Sequence, residues 1–118
     1  MTQETIEAIL LKKPSAKFDF PFGEDVMVFR IANKMFALLS LNDTPLRLNL
    51  KCEPNNAVAL RDIYESVIPG YHMNKKHWNT VILDDSIPLE NLQDMIDESY
   101  DLIFSKLTKK EKAQIALC

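Results

Sequence analysis

Residues 26–51 read V-M-V-F-R-I-A-N-K-M-F-A-L-L-S-L-N-D-T-P-L-R-L-N-L-K, and their alternation decides the fold. Successive side chains on a β-strand point to opposite faces, so a period of two marks a strand with one buried face. Leu46, Leu48 and Leu50 alternate with Arg47, Asn49 and Lys51, the cleanest such run in the chain. Upstream, Met27, Phe29 and Ile31 share one face while Val26, Val28 and Arg30 take the other. Ala32-Asn33 is a tight turn, because asparagine tolerates positive φ. Lys34 to Leu41 returns as the next strand, and Leu41-Asn42-Asp43-Thr44-Pro45 turns the chain again. Successive hairpins make an antiparallel sheet. Its outer face, read from Arg47 and Lys51, is expected to stay wet and basic.

Working outward, Phe18, Phe20 and Phe22 alternate with Asp19 and Pro21. Proline has no amide donor, so this is an edge or irregular strand. Residues 2–12 form a helix with Ile6, Ile9 and Leu10 on one face, capped by Thr2 and stopped by Pro14. Downstream, Glu53-Pro54 starts a helix whose stripe is Ala57, Leu60, Arg61, Tyr64 and Val67, and Pro69-Gly70 ends it. Trp78 to Leu83 is rich in β formers and makes a further strand. Pro88 opens a long helix with Leu89, Leu92, Met95, Ile96, Ser99 and Ile103 as its buried stripe. Thr108 and Glu111 have capping-box spacing, so a short last helix begins there. Strands followed by helices give one α+β domain over residues 1–118, with helices packed on one face of an antiparallel sheet.

The chain has 118 residues, 47% of them hydrophobic, which suffices for one core without staples. Cys52 and Cys118 make no disulfide framework, so a reducing, cytoplasmic setting is expected. No apolar run approaches the roughly 20 residues that a membrane span needs. The N-terminus is acidic and amphipathic, unlike a signal peptide. Net charge is −3, but residues 26–83 carry seven Lys and Arg against four acids, and residues 84–105 carry seven acids and no Lys or Arg. Two unlike faces are therefore expected, although a run of acids on a helix is more often a solvated face.

The densest chemistry lies at 69–83, P-G-Y-H-M-N-K-K-H-W-N-T-V-I-L, which holds both histidines and the only tryptophan. No acid falls between Glu65 and Asp84. Enzyme signatures are missing: two glycines cannot build a phosphate loop, and there is no HExxH. No enzymatic activity and no cofactor are expected. Cys52 with His72 or His77 as base is conceivable chemistry, but a buried apolar cysteine is the plainer reading. His72 and His77 share a metal only if their loop folds back on itself, and surface histidines are the plainer reading there too. Lys75 and Lys76 beside Tyr71, His72, Asn74, His77 and Trp78 suit nucleic acid better. Lysines neutralise phosphate, and rings and amides touch bases or sugars. Arg30, Arg47 and Lys51 on the open sheet face extend that track. Against this stands the reading in which Tyr71 and Trp78 are core and the lysines merely an exposed turn.

F-P-F-G-E-D at 20–25, V-F-R-I-A-N-K-M-F-A-L at 28–38, L-K-C at 50–52 and P-G-Y-H-M-N-K-K-H-W-N-T at 69–80 resemble the MmcQ/YjbR family of small bacterial proteins. S-Y at 99–100 and L-T-K-K at 107–110 fit as well, so the resemblance runs from about Ile6 to Lys112. It implies a CyaY-like α+β fold and binding of double-stranded DNA through a double-wing arrangement of β elements. The implied contact region is Tyr71, His72, Asn74, Lys75, Lys76, His77 and Trp78. Asn33 stands where many relatives have glycine and serves the same turn. The alternative is a protein-interaction adaptor that uses the same loop and the acidic helix 88–105. A third reading places a small-ligand or metal site around His72 and His77, where the loop crosses the sheet.

Overall fold

The two hairpins form as their alternation dictates. In the computed structural model, which describes residues 1–70 and 73–116, the chain runs α1 (Gln3–Leu11), β1 (Lys17–Asp19), β2 (Val26–Ile31), β3 (Lys34–Ser40), β4 (Arg47–Lys51), α2 (Pro54–Ile63), β5 (Val67–Pro69), β6 (Trp78–Ile82), α3 (Leu89–Ser105) and α4 (Lys109–Ala116). All six strands join one antiparallel sheet in the order β1-β2-β3-β4-β6-β5. Ala32 and Asn33 both take positive φ, 45° and 70°, which gives the tight two-residue turn between β2 and β3. No helix among the described residues is long and apolar enough to cross a membrane.

One face of the sheet is the core. Met27, Phe29, Leu39, Leu48, Leu50 and Val81 lie on it, fully or almost fully buried beneath Ile6 and Leu10 of α1 and the α3 stripe Leu92, Met95, Ile96, Tyr100 and Ile103. Each such side chain contributes roughly 1.5–3 kcal/mol relative to exposure. A bulge after Phe29 leaves Phe36 as the extra residue of β3, because Phe29 pairs with Ala37 and Arg30 with Met35. The bulge lets Phe36 join this core beside Ala37, with its ring edge-on to Tyr100 at 5.3 Å.

Beyond the bulge the ladder between β3 and β4 is completed by a side chain. Ser99 of α3, fully buried, donates its hydroxyl to the Phe36 carbonyl and accepts from the Lys51 amide at 2.9 Å. A helix residue thus replaces a strand–strand hydrogen bond and pins α3 to the sheet. The last helix starts on the expected capping box, with Thr108 N–H donating to Glu111 at 2.9 Å and Glu111 N–H donating to Thr108 at 3.1 Å.

Two expectations need correction, and a third, the edge strand expected of residues 18–22, is met only by the short β1. Val67 is not on the α2 stripe: α2 ends at Ile63, and Val67–Pro69 is the edge strand β5. An edge is the one place where proline leaves no ladder bond unmade. The alternating phenylalanines yield only the short strand β1. Pro21 and the turn closed by Gly23 N–H on the Phe20 carbonyl end it early, so Phe18, Phe20 and Phe22 are all exposed. Leu89, in the first turn of α3, is exposed and is not part of its buried stripe.

Replacing Ser99 by alanine strands a buried carbonyl and a part-buried amide. Such losses cost about 1–3 kcal/mol. Urea unfolding of Ser99→Ala should show that drop in stability with an unchanged m-value, and a stability equal to that of the parent would show that the hydroxyl is not part of the ladder.

Candidate nucleic-acid interface

The turn that leads into β6 is fastened to three elements. Trp78 N–H and His77 N–H both donate to the Asn74 carbonyl, at 2.8 and 3.1 Å, and Asn74 Oδ1 accepts from Lys76 N–H at 3.0 Å. From the β4 side, Cys52 N–H donates to the His77 carbonyl at 2.7 Å. From α2, Arg61 donates to the Lys75 carbonyl at 3.1 Å and to Asn79 Oδ1 at 3.2 Å. Asn79 is itself buried and donates to the Ala57 carbonyl at 3.2 Å. β5 closes the frame, with Gly70 N–H on the Trp78 carbonyl at 2.9 Å. A Cβ on Gly70 would sit 2.9 Å from that carbonyl oxygen, so only glycine lets the strands approach this closely.

Antiparallel pairing also sorts charge along the strands. β2 ends, β3 begins, β4 ends and β6 begins at the same end of the sheet. That end carries Arg30, Lys34, Lys51 and the turn with Lys75 and Lys76. Lys51 is held down to about 8, first by burial and then by the ammonium groups of Lys106, at the end of α3, and Lys34. Three lysines therefore converge where β3 starts and β4 and α3 stop. The opposite end is bounded by Glu24, Asp25, Asp43, Asp84 and Asp85.

Not every expected contact residue lies on the basic end. Lys75 and Lys76 are exposed there, as is Asn74, and half-buried His77 lies beside them. Lys51 lies next to them as the register partner of Trp78. Arg30 is at this end but its guanidinium is committed to Asp19 at 3.0 Å and to the Asn33 carbonyl at 3.2 Å. Arg47 does not belong to the track: it pairs with Ile82, at the far end of β4 and β6. Trp78 is 8% exposed and packs with Val28 and Leu38 on the sheet face away from the helices, so it offers almost no ring surface to a base. That face is accordingly not simply wet, because a small apolar cluster sits on it. Tyr71 and His72 lie outside the described residues, and with them the histidine pair considered for metal. Among the described residues no three of His, Cys, Asp and Glu converge.

Arg61 and Lys106 belong to this site, and neither was among the expected contacts. An arginine inside an otherwise apolar helix stripe was the available signal for Arg61. Nothing in the sequence places Lys106 beside Lys51. Cys52 takes the plainer role: it is buried, and its thiol is pushed up to about 12 by burial and then by Glu98, against a smaller opposing effect of Arg61. A thiol in that state is not a nucleophile at neutral pH.

Fold and site together define a small single-sheet α+β protein with a basic strand end. The YjbR family model matches residues 11–102, and the chain belongs to that family. It is 37% identical over 113 residues to YbdF of Escherichia coli O157:H7, covering 95% of this chain and 92% of that protein. It is 40% identical over 116 residues to YyaQ of Bacillus subtilis, covering 86% and 98%. The crystal structure of the Deinococcus radiodurans protein DR2400, a DUF419 domain, superposes with a TM-score of 0.89 at 36% identity, covering 98% of this chain and 88% of that one.

Two outcomes check this site. In a Cys118→Ser background, Cys52 should resist iodoacetamide at neutral pH in the native protein and label only on unfolding. Fast native labelling would contradict its burial. Gly70→Ala should cost roughly 1–3 kcal/mol, the range for forcing atoms into a packed contact, and should shift Trp78 emission. An unchanged melt would show that β5 is free to move away from β6.

Proposed function

We propose that this protein is a non-enzymatic DNA-binding module whose sheet end contacts backbone phosphates. Lys75 and Lys76 are the primary contacts, and Lys34, Lys51 and Lys106 continue the surface. The observation that carries the reading is the gathering of lysines from the β6 turn, β3, β4 and the end of α3 at one end of the sheet. Counterion release from phosphate makes such a surface bind DNA with little regard to sequence. The lowered proton affinity of Lys51, set first by burial and then by Lys106 and Lys34, fits this reading, because a polyanion favours its charged form. The family resemblance points the same way.

The adaptor reading is weaker. Of the acids on α3 that it needs, Asp97 is bonded to Lys13 at 2.5 Å, and Glu98 accepts from the Glu53 amide at 2.9 Å and from the Asn56 side chain. Both serve the fold rather than a partner.

Fluorescence anisotropy of a labelled duplex of about 25 base pairs, titrated at several salt concentrations, tests the proposal. Affinity should fall steeply with salt, and Lys75→Ala/Lys76→Ala should weaken binding across sequences and flatten the salt slope by about 2, one for each lost contact. An unchanged slope would remove the turn from the interface, and no binding at low salt would remove the DNA reading.

A pH series tests Lys51 separately. DNA favours the charged ammonium, so a group lowered to about 8 must take up a proton on binding above that pH. Affinity should therefore decline as pH rises through 8, and the decline should be shallower in Lys51→Met. Parallel profiles for the two proteins would show that Lys51 does not meet the anion.

A further inference from the structure

β1 is an outer strand of the sheet, so one side of its backbone faces no other strand. Its residues Lys17, Phe18 and Asp19 are all exposed, and Phe20 directly after them is 43% exposed. Rings of this size normally bury most of their surface, so two of them in the open mark a contact surface. Phe18 pairs with Phe29 and lies on the helix side of the sheet, its ring 5.9 Å from that of Phe29. Phe20 stands edge-on to Phe18 at 6.0 Å, so both rings flank the same side of the edge. Lys17 and Asp19 take the opposite face. A groove of about 620 Å³ lies alongside, lined by Ser15, Lys17 and Phe18, by Ala32 and by Ile115 of α4.

The charges of the edge select its occupant. An added antiparallel strand sets residue directly against residue, where opposite charges stabilise and like charges destabilise. Lys-Phe-Asp is its own complement: in a second copy paired about Phe18, Lys17 meets Asp19 twice over. Asp19 Oδ1 accepts from the Arg30 guanidinium at 3.0 Å, and its side chain is still 53% exposed. Among the described residues, neither Asp19 Oδ2 nor the Lys17 ammonium has a partner. A lysine on an edge strand ordinarily discourages pairing, but here the second copy supplies its counter-charge. The same register sets Phe20 against Ala16 of the second copy, between the Ser15 and Lys17 that line the groove. Pro21 falls outside the paired residues. Parallel self-pairing would instead bring Lys17 to Lys17. The other edge, β5, reads Val67-Ile68-Pro69, which offers no charge to Lys17 or Asp19, and a joint of β1 to β5 repeats without closing.

We propose that two copies of this chain associate through β1, antiparallel about Phe18, with Phe20 of each copy seated in the groove of the other. Each side of the joint then carries a row of Arg30, Asp19 and the second copy's Lys17 on the open face, and the four rings of Phe18 and Phe20 pack on the helix side. The two-fold axis is perpendicular to the sheet, so both basic ends stay uncovered and point opposite ways. The pairing stands or falls independently of DNA binding.

Sedimentation velocity over a wide range of protein concentration tests it. The weight-average mass should rise with concentration from that of the 13.6 kDa chain towards twice that value and no further. Lys17→Glu and Asp19→Lys each put like charges opposite one another on both sides of the axis, so each alone should weaken self-association by about tenfold. Mixed together, the two variants should associate again, because each introduced charge then faces its opposite. Phe20→Ser removes the ring from the groove and leaves the charges alone, and it should weaken the dimer by about tenfold or more. It also serves as the test should either charge variant fail to fold. A mass that stays at one chain throughout, a mass that grows beyond two, undiminished association in folded Phe20→Ser, or charge variants whose mixture associates no better than either alone would each overturn the proposal.

Discussion

The pairing of β4 with β6 is the constraint from which the rest of the molecule follows. These strands are separated in sequence by a helix, an edge strand and a turn, yet they lie side by side from Arg47↔Ile82 to Lys51↔Trp78. Pairing in this register puts Leu48 and Val81 together under α3 and fixes Trp78 on the other face. It also pushes β5 to the sheet edge, where Pro69 is harmless. A slip of one residue would send every side chain of β6 to the wrong face. Three features hold the register: the Gly70–Trp78 contact on one side, the Cys52–His77 bond beyond the end of β4, and the Arg61 bridge to Asn79.

From that register comes the electrostatic layout. Strand directions alternate, so residues at strand ends are collected into two groups however far apart they lie in sequence. Lys34, Lys51, Lys75 and Lys76 fall together at one end, and Asp25, Asp43, Asp84 and Asp85 at the other. A charge count along the chain suggests a basic middle and an acidic helix. The fold replaces that picture with a basic end and an acidic end. Part of the acidic helix goes into the structure itself, through Asp97 with Lys13 and Glu98 with the start of α2.

Much of this fold was readable because one period dominates each element. Met27, Phe29 and Ile31, then Leu48 and Leu50, kept their faces, and Leu92, Met95, Ile96, Ser99 and Ile103 kept theirs on α3. The Thr108–Glu111 pair formed as its spacing requires. Val67 was not readable, since it fits the α2 stripe and a strand equally well, and only pairing with β6 decides. Nor was the burial of Trp78, because an aromatic residue in a basic loop suits a contact surface or a core in sequence terms alone. The candidate site was legible in its lysines and not in its supports. Arg61 and Lys106 depend on long-range contacts that no local pattern encodes.

The sheet thus carries two surfaces of different chemistry, a basic end and an aromatic edge at β1. Binding of DNA at the basic end is the central claim. The most direct measurement is a ¹H–¹⁵N correlation spectrum of the labelled protein during titration with a short duplex. The account predicts that the amides of Lys34, Lys51, Lys75, Lys76 and Lys106 shift together while those of Arg47, Ile82 and Asp84 stay in place. Shifts centred on Arg47 and the Asp84–Asp85 turn, or a spectrum that DNA leaves unchanged, would contradict it.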